Sequence, residues 1–115
     1  MYEIYHNPHC SKSREALTLL RENAITPVVV EYMKDPIAKS QIIELLRKLS
    51  LDPRDLLRKS EREYKTLGLG DKSLSDDYLL NAMVGHPKLI ERPIIVKGDK
   101  AVIGRPAKEI LNLMK

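Results

Sequence analysis

A strand-helix-strand run near the N-terminus is the feature that most narrows what this sequence can fold into. Tyr2 to His6 reads as a short strand, and Asn7-Pro8 breaks it. A helix is expected from about Ser11 to Asn23, because Ala16, Leu17, Leu20 and Ala24 recur at helical spacing along one face. Pro27 closes the connection, and the β-branched run from Val28 to Tyr32 reads as a second strand. Two strands joined through a helix of this length make a βαβ unit. They should run parallel, with a right-handed crossover.

The middle of the chain reads as helical. Ile42, Ile43, Leu46 and Leu49 mark one stripe, and Asp52-Pro53 reads as a cap followed by proline at the first helical position. Ser60 and Glu63 have capping-box spacing and should start another helical turn. Ser75, followed by Asp76 and Asp77, should start a further helix that Gly85 and Pro87 stop near Val84. The chain then returns to strands. Pro93 to Val96 and Ala101 to Arg105 flank Lys97-Gly98-Asp99-Lys100, a tight hairpin. Pro106 opens a last helix, with Ile110, Leu111 and Met114 expected to face the core. The order β-α-β, helices, β-β-α predicts an α/β protein with a thioredoxin-like fold and a mixed four-stranded sheet. One domain over residues 1–115 is expected, with a helical insertion at about 36–90.

Charge and cysteine usage restrict the function. The 115 residues carry 20 Lys and Arg against 16 Asp and Glu, a formal net charge of +4. The two signs are interleaved, so no nucleic-acid or membrane partner is expected. No apolar run approaches the roughly 20 residues that a membrane span needs. The opening Met1-Tyr2-Glu3-Ile4-Tyr5 has no signal-peptide layout, which makes the cytoplasm the expected location. A single cysteine excludes an internal disulfide.

That cysteine lies in the most informative segment, His6-Asn7-Pro8-His9-Cys10-Ser11-Lys12-Ser13-Arg14, between the first strand and the first helix. At a helix N-terminus the first backbone N–H groups are unpaired and the dipole end is positive. Both favour thiolate over thiol, and the same N–H groups can hold an oxyanion beside the sulfur. Lys12 and Arg14 add positive charge, and His6 or His9 could tune the thiol or carry a proton. The competing view is that Cys10 is a small buried apolar residue. A strand-to-helix turn after Asn-Pro is a poor place to hide a side chain, and this favours a chemical role. Ser13 occupies the place that a resolving cysteine takes in dithiol redox proteins. Serine cannot resolve a mixed disulfide, so redox chemistry here requires an external thiol.

Arg92-Pro93 and Arg105-Pro106 repeat one dipeptide on either side of the hairpin. With Gly98-Asp99 as a two-residue loop, Lys97 pairs with Lys100, and the same register sets Arg92 opposite Arg105. Like charges placed opposite each other are destabilising. An anion between them reverses that sign, because arginine binds oxyanions through paired donors. The alternative is a pair of solvated surface arginines.

The sequence closely resembles the glutaredoxin-coupled arsenate reductases, a branch of the thioredoxin-like fold, over nearly its whole length. The resemblance rests on Ile4-Tyr5-His6-Asn7-Pro8-x-Cys10-x-x-Ser13-Arg14, on Leu56-Leu57-Arg58-Lys59 and on Tyr64-Lys65-x-Leu67-Gly68-Leu69. It continues through His86-Pro87-x-Leu89-Ile90-x-Arg92-Pro93-Ile94-x-Val96 and Arg105-Pro106. It implies that Cys10 attacks arsenate and that Arg58, Arg92 and Arg105 hold the arsenate and the arsenite product. It implies a cis Pro93 and a supporting role for His6 near the nucleophile. It also implies glutathione as co-substrate and glutaredoxin as the partner that frees Cys10, with no bound cofactor and no metal. Ser11-Lys12 departs from the small pair found after the cysteine in the best-known plasmid-borne reductases, and the chain ends sooner than theirs. Both features resemble a chromosomal subgroup. Two other readings stand beside this one. The first is a glutathione-dependent thiol oxidoreductase with a different substrate. The second is a regulator of the Spx type, which binds RNA polymerase; Ser13 excludes the C-x-x-C switch that many of those carry.

Overall fold

The structure is a computed structural model that describes residues 1–114. Its first unit comprises Met1–Asp35 and the segment from Arg92 onward; the second comprises Pro36–Glu91.

In the first unit, strand β1 (Tyr2–Tyr5) leads to helix α1 (Ser11–Glu22) and then to strand β2 (Val28–Val30). Strands β3 (Ile94–Lys97) and β4 (Lys100–Ile103) form the hairpin, and a 3-10 helix covers Ala107–Leu113. The four strands make one sheet in the order β2-β1-β3-β4. β1 runs parallel to β2 and antiparallel to β3, as a βαβ unit followed by a ββα unit requires. This is the thioredoxin-like arrangement with a mixed sheet. Ile4, Ala16, Leu20, Ile95, Ile110 and Leu113 form the core, drawn from β1, α1, β3 and the 3-10 helix. Burying each of the larger side chains contributes roughly 1.5–3 kcal/mol.

Two local expectations change here. Ala24 does not extend the apolar face of α1. It adopts a left-handed conformation with φ 61°, while Ile25 N–H donates to the Leu20 carbonyl at 2.9 Å and Ala24 N–H donates to Arg21 at 3.0 Å. This is a Schellman ending, and it brings Ile25 onto the core beside Leu20. The last helix is a 3-10 helix, so its side chains repeat every three residues. Ile110 and Leu113 are therefore buried and Leu111 is exposed, with Met114 only partly covered.

The second unit contains α2 (Lys39–Leu49), α3 (Pro53–Leu56), α4 (Arg62–Thr66) and α5 (Asp76–Gly85), then a 3-10 turn at Pro87–Leu89. α5 packs against α2 and α3. The buried stripe of α2 is Ile42, Leu45 and Leu46; Ile43 is exposed, because the face follows the i, i+3, i+4 spacing. α4 is capped at Glu61, one residue later than Ser60. Ser75 caps α5 by accepting the Tyr78 N–H at 3.1 Å. Leu57 bridges to Ile90, and Arg54 donates to the Leu69 and Asp71 carbonyls at 2.8 and 2.9 Å, tying down the loop before α5. Among the described residues no helix is long and apolar enough to cross a membrane.

Candidate active site

Asn7 shapes the turn that carries Cys10. Its side-chain oxygen accepts the His9 N–H at 3.0 Å, and its carbonyl accepts the Cys10 N–H at 3.0 Å. Asparagine suits such a turn because its side chain mimics a backbone acceptor. Arg14 Nη1 donates to the Pro8 carbonyl at 2.8 Å, so this arginine braces the loop. Cys10 is the N-cap of α1, with extended backbone at φ −100° and ψ 121°. That conformation turns the amides of Lys12 and Ser13 toward its sulfur. The Lys12 side chain pairs with Glu15 at 3.7 Å on the helix surface.

The electrostatics of Cys10 follow from these neighbours. Burial is the largest single influence and pushes the thiol up. The Ser13 amide, the Arg92 guanidinium and the Lys12 amide together outweigh it, so the thiol lies below its ordinary value. A half-buried cysteine with cationic and amide donors at its sulfur is the setting in which thiolate forms readily.

The two arginines arrive through the hairpin register. Ile94 pairs with Ile103 and Lys97 with Lys100, and Gly104 N–H donates to the Pro93 carbonyl at 2.8 Å. Gly98, at φ 61°, takes the first loop position, where a left-handed residue is needed. Arg92 and Arg105 thus stand opposite each other at the open end of the hairpin. Both Arg-Pro peptide bonds are cis, Arg92-Pro93 and Arg105-Pro106. Arg105 Nη1 donates to the Arg92 carbonyl at 3.2 Å and lies 3.9 Å from the Cys10 sulfur. Arg92 is buried, and that burial acts to lower its guanidinium value. The Tyr32 hydroxyl and Cys10 act the other way and leave it raised.

His6 and Ser13 form a structural pair behind the cysteine. Ser13 is fully buried, and its hydroxyl accepts the Asn7 N–H at 3.1 Å and shares a 2.6 Å hydrogen bond with His6 Nδ1. Burial is the main cause that lowers the His6 value, which favours the neutral ring. Besides burial, the groups that move the Cys10 thiol are Ser13, Arg92 and Lys12. Arg58 belongs to the second unit. There its side chain, 15% exposed, sits 3.4 Å from Glu61 and 3.8 Å from Glu91, so two carboxylates balance its charge.

Two residues of this site escaped the sequence reading. By its sequence Tyr32 reads only as the end of a strand. Gly104 allows close packing: a Cβ there would lie 2.9 Å from Ile95 Cδ1, 3.1 Å from Pro93 Cγ and 3.5 Å from Ala16 Cβ. A glycine inside a strand pattern is the signal that could have found it, since it marks close backbone approach. Nothing local singles out Tyr32.

Known proteins share this fold and much of this sequence. A family model described as the ArsC family matches residues 5–113. The chain is 49% identical over 113 residues to YfgD, an uncharacterized protein of Escherichia coli strain K12, covering 97% of this chain and 95% of that protein. It is 42% identical over 112 residues to an arsenate reductase of Haemophilus influenzae, covering 96% and 97%. The solved structure of an arsenate reductase from Vibrio cholerae superposes with a TM-score of 0.94 at 46% identity, covering 96% of this chain and 95% of that one. On the match of sequence, fold and length alike, the chain belongs to the ArsC family.

Proposed function

We propose that this protein reduces arsenate to arsenite, with Cys10 as nucleophile and with glutathione and glutaredoxin as the source of electrons. The observation that carries the reading is the approach of two guanidinium groups, Arg92 and Arg105, to one sulfur whose thiolate is favoured. Such a site accommodates a tetrahedral oxyanion beside a nucleophile. The names of the relatives supply arsenate as the particular oxyanion.

In this reading the Cys10 thiolate attacks arsenic and displaces one oxygen, which leaves as water after protonation. Arg92 and Arg105 hold the remaining oxygens. Glutathione then supplies the second sulfur. As arsenic(V) takes two electrons and leaves as arsenite, the two sulfurs join in a Cys10–glutathione disulfide. A glutaredoxin thiolate attacks the glutathione sulfur and releases Cys10 as thiolate. Ser13 fits this sequence, because it is buried in hydrogen bonds and has no thiol with which to resolve the disulfide. The resemblance adds Arg58 as a third oxyanion ligand, a role that Arg58→Ala tests on its own. The cytoplasm suits the reaction, since glutathione keeps thiols reduced there.

The test is arsenite formation with arsenate, glutathione and glutaredoxin supplied, compared with mixtures lacking each. Turnover that needs all three is the expected result. Glutathione-dependent thiol chemistry without arsenite formation would replace arsenate by another oxidised substrate.

A further inference from the structure

Arg58 and Glu91 are brought together by a two-stranded contact inside the second unit. Leu57 bridges to Ile90, Arg58 N–H donates to the Leu89 carbonyl at 2.7 Å, and Glu91 N–H donates to the Leu56 carbonyl at 2.8 Å. Side chains alternate between the two faces of such a pair. Leu57 and Ile90 are buried on one face. Arg58 and Glu91 share the other, where Arg58 Nη1 lies 3.8 Å from a Glu91 oxygen. Glu61 comes from three residues further along the chain, with its own N–H donating to the Arg58 carbonyl at 3.3 Å. It places an oxygen 3.4 Å from Arg58 Nε.

A guanidinium grips an oxyanion through two parallel N–H donors, and it has two such forks, Nε with Nη2 and Nη1 with Nη2. In Arg58 each fork has a carboxylate at one end, Glu61 at Nε and Glu91 at Nη1. A bidentate oxyanion must therefore displace one of them. Glu91 leaves at the lower cost. Its ion pair is the longer, and its side chain is the more exposed, 30% against 21% for Glu61. Its backbone is pinned to Leu56, so departure needs only rotation of the side chain into water.

We propose that Glu91 is a displaceable counter-ion: it occupies the Nη1–Nη2 fork of Arg58 and yields it to an incoming oxyanion, so that its carboxylate sets how tightly the oxyanion is held. The assignment rests on the reading of Arg58 as an oxyanion ligand, though not on reduction of the bound anion. Before the anion arrives, the carboxylate offsets the desolvation of a guanidinium side chain that is only 15% exposed. Once displaced, it is hydrated.

The experiment is calorimetric titration of the protein with arsenate and no added thiol, so that binding is read without turnover. The proteins are wild type, Glu91→Gln, Arg58→Ala and the double variant. Glu91→Ala removes the acceptor together with the charge, should the glutamine amide still hold the fork. Glu91→Gln is expected to lower the Kd about two- to fivefold, the range of a partly exposed ion pair. Arg58→Ala should weaken binding, and Glu91→Gln should add nothing in that background. With glutathione and glutaredoxin supplied, the gain should appear in KM with kcat unchanged. An unchanged or weaker affinity in both Glu91 variants would overturn the proposal, as would an equal gain with and without Arg58, or wild-type affinity in Arg58→Ala. Absence of binding from wild type and both Glu91 variants would overturn it too. The expected binding pattern with no arsenite formed would leave this assignment standing and remove arsenate reduction.

Discussion

One nitrogen of Arg105, Nη1, serves both the Arg92 carbonyl at 3.2 Å and the Cys10 sulfur at 3.9 Å. The hairpin register forces two like charges together, and the carbonyl and the thiolate offset their repulsion. Arg105→Ala should lower kcat/KM for arsenate by roughly 10²-fold, the usual loss for a donor at a reacting oxyanion. Arg105→Lys should recover part of it, because an ammonium keeps the charge without the planar fork. Steady-state kinetics decide the matter, and unchanged kcat/KM in Arg105→Ala would remove Arg105 from the site.

Cys10→Ser should abolish turnover without loss of the fold. Cys10 is the N-cap of α1. Serine is a preferred N-cap, so Tm should be equal to or above that of the wild type. Mass spectrometry should find one glutathione on the Cys10 peptide of the wild type after reaction, and none on the variant. Residual turnover in the variant would contradict the nucleophile assignment.

Ser13→Ala should destabilise the fold by about 1–3 kcal/mol, because it leaves a buried backbone amide and a buried ring nitrogen without their partner. Those groups are the Asn7 N–H and His6 Nδ1. Urea unfolding measures the loss; stability equal to wild type would show that the serine is not the strut described.

The burial of His6 makes stability sensitive to mild acid. Its folded value lies below the ordinary 6.5, with burial the leading cause, Glu31 opposing it and Arg21 and Arg14 adding to it. Between the two values the unfolded chain binds the proton and the folded chain does not. Stability therefore falls as pH drops below 6.5, until the folded value is passed. Unfolding free energies measured across this range should decline more steeply for wild type than for His6→Gln. Equal slopes would exclude His6 as the source.

Gly104→Ala should destabilise by roughly 1–3 kcal/mol through overpacking. The new methyl would meet Pro93 Cγ at 3.1 Å, and a proline ring cannot swing aside as a flexible side chain does. Relief would shift the backbone next to Arg105, so arsenate use should fall along with Tm. An unchanged Tm would refute the close approach.

Features that depend on neighbours in the chain were open to reading from the residues alone. The break at Asn7-Pro8, the Ser75 cap and the proline after Asp52 act within one turn of where they stand. The hairpin loop at Gly98-Asp99 sets its own register, so the opposition of Arg92 and Arg105 followed by counting. The placement of Cys10 at the start of α1 is local in the same way. Other features required the packed structure. Ala24 turns left-handed because Ile25 must reach the core beside Leu20. The exposure of Leu111 follows from a terminal helix with three residues per turn, which no apolar spacing announced. Ser13 became a buried strut, and Arg58 met Glu91, through contacts with residues that only folding places beside them. Sequence thus determined the Cys10 turn and the arginine pair. Tertiary packing decided which groups orient and tune them, because hydrogen bonds and burial act across space and not along the chain.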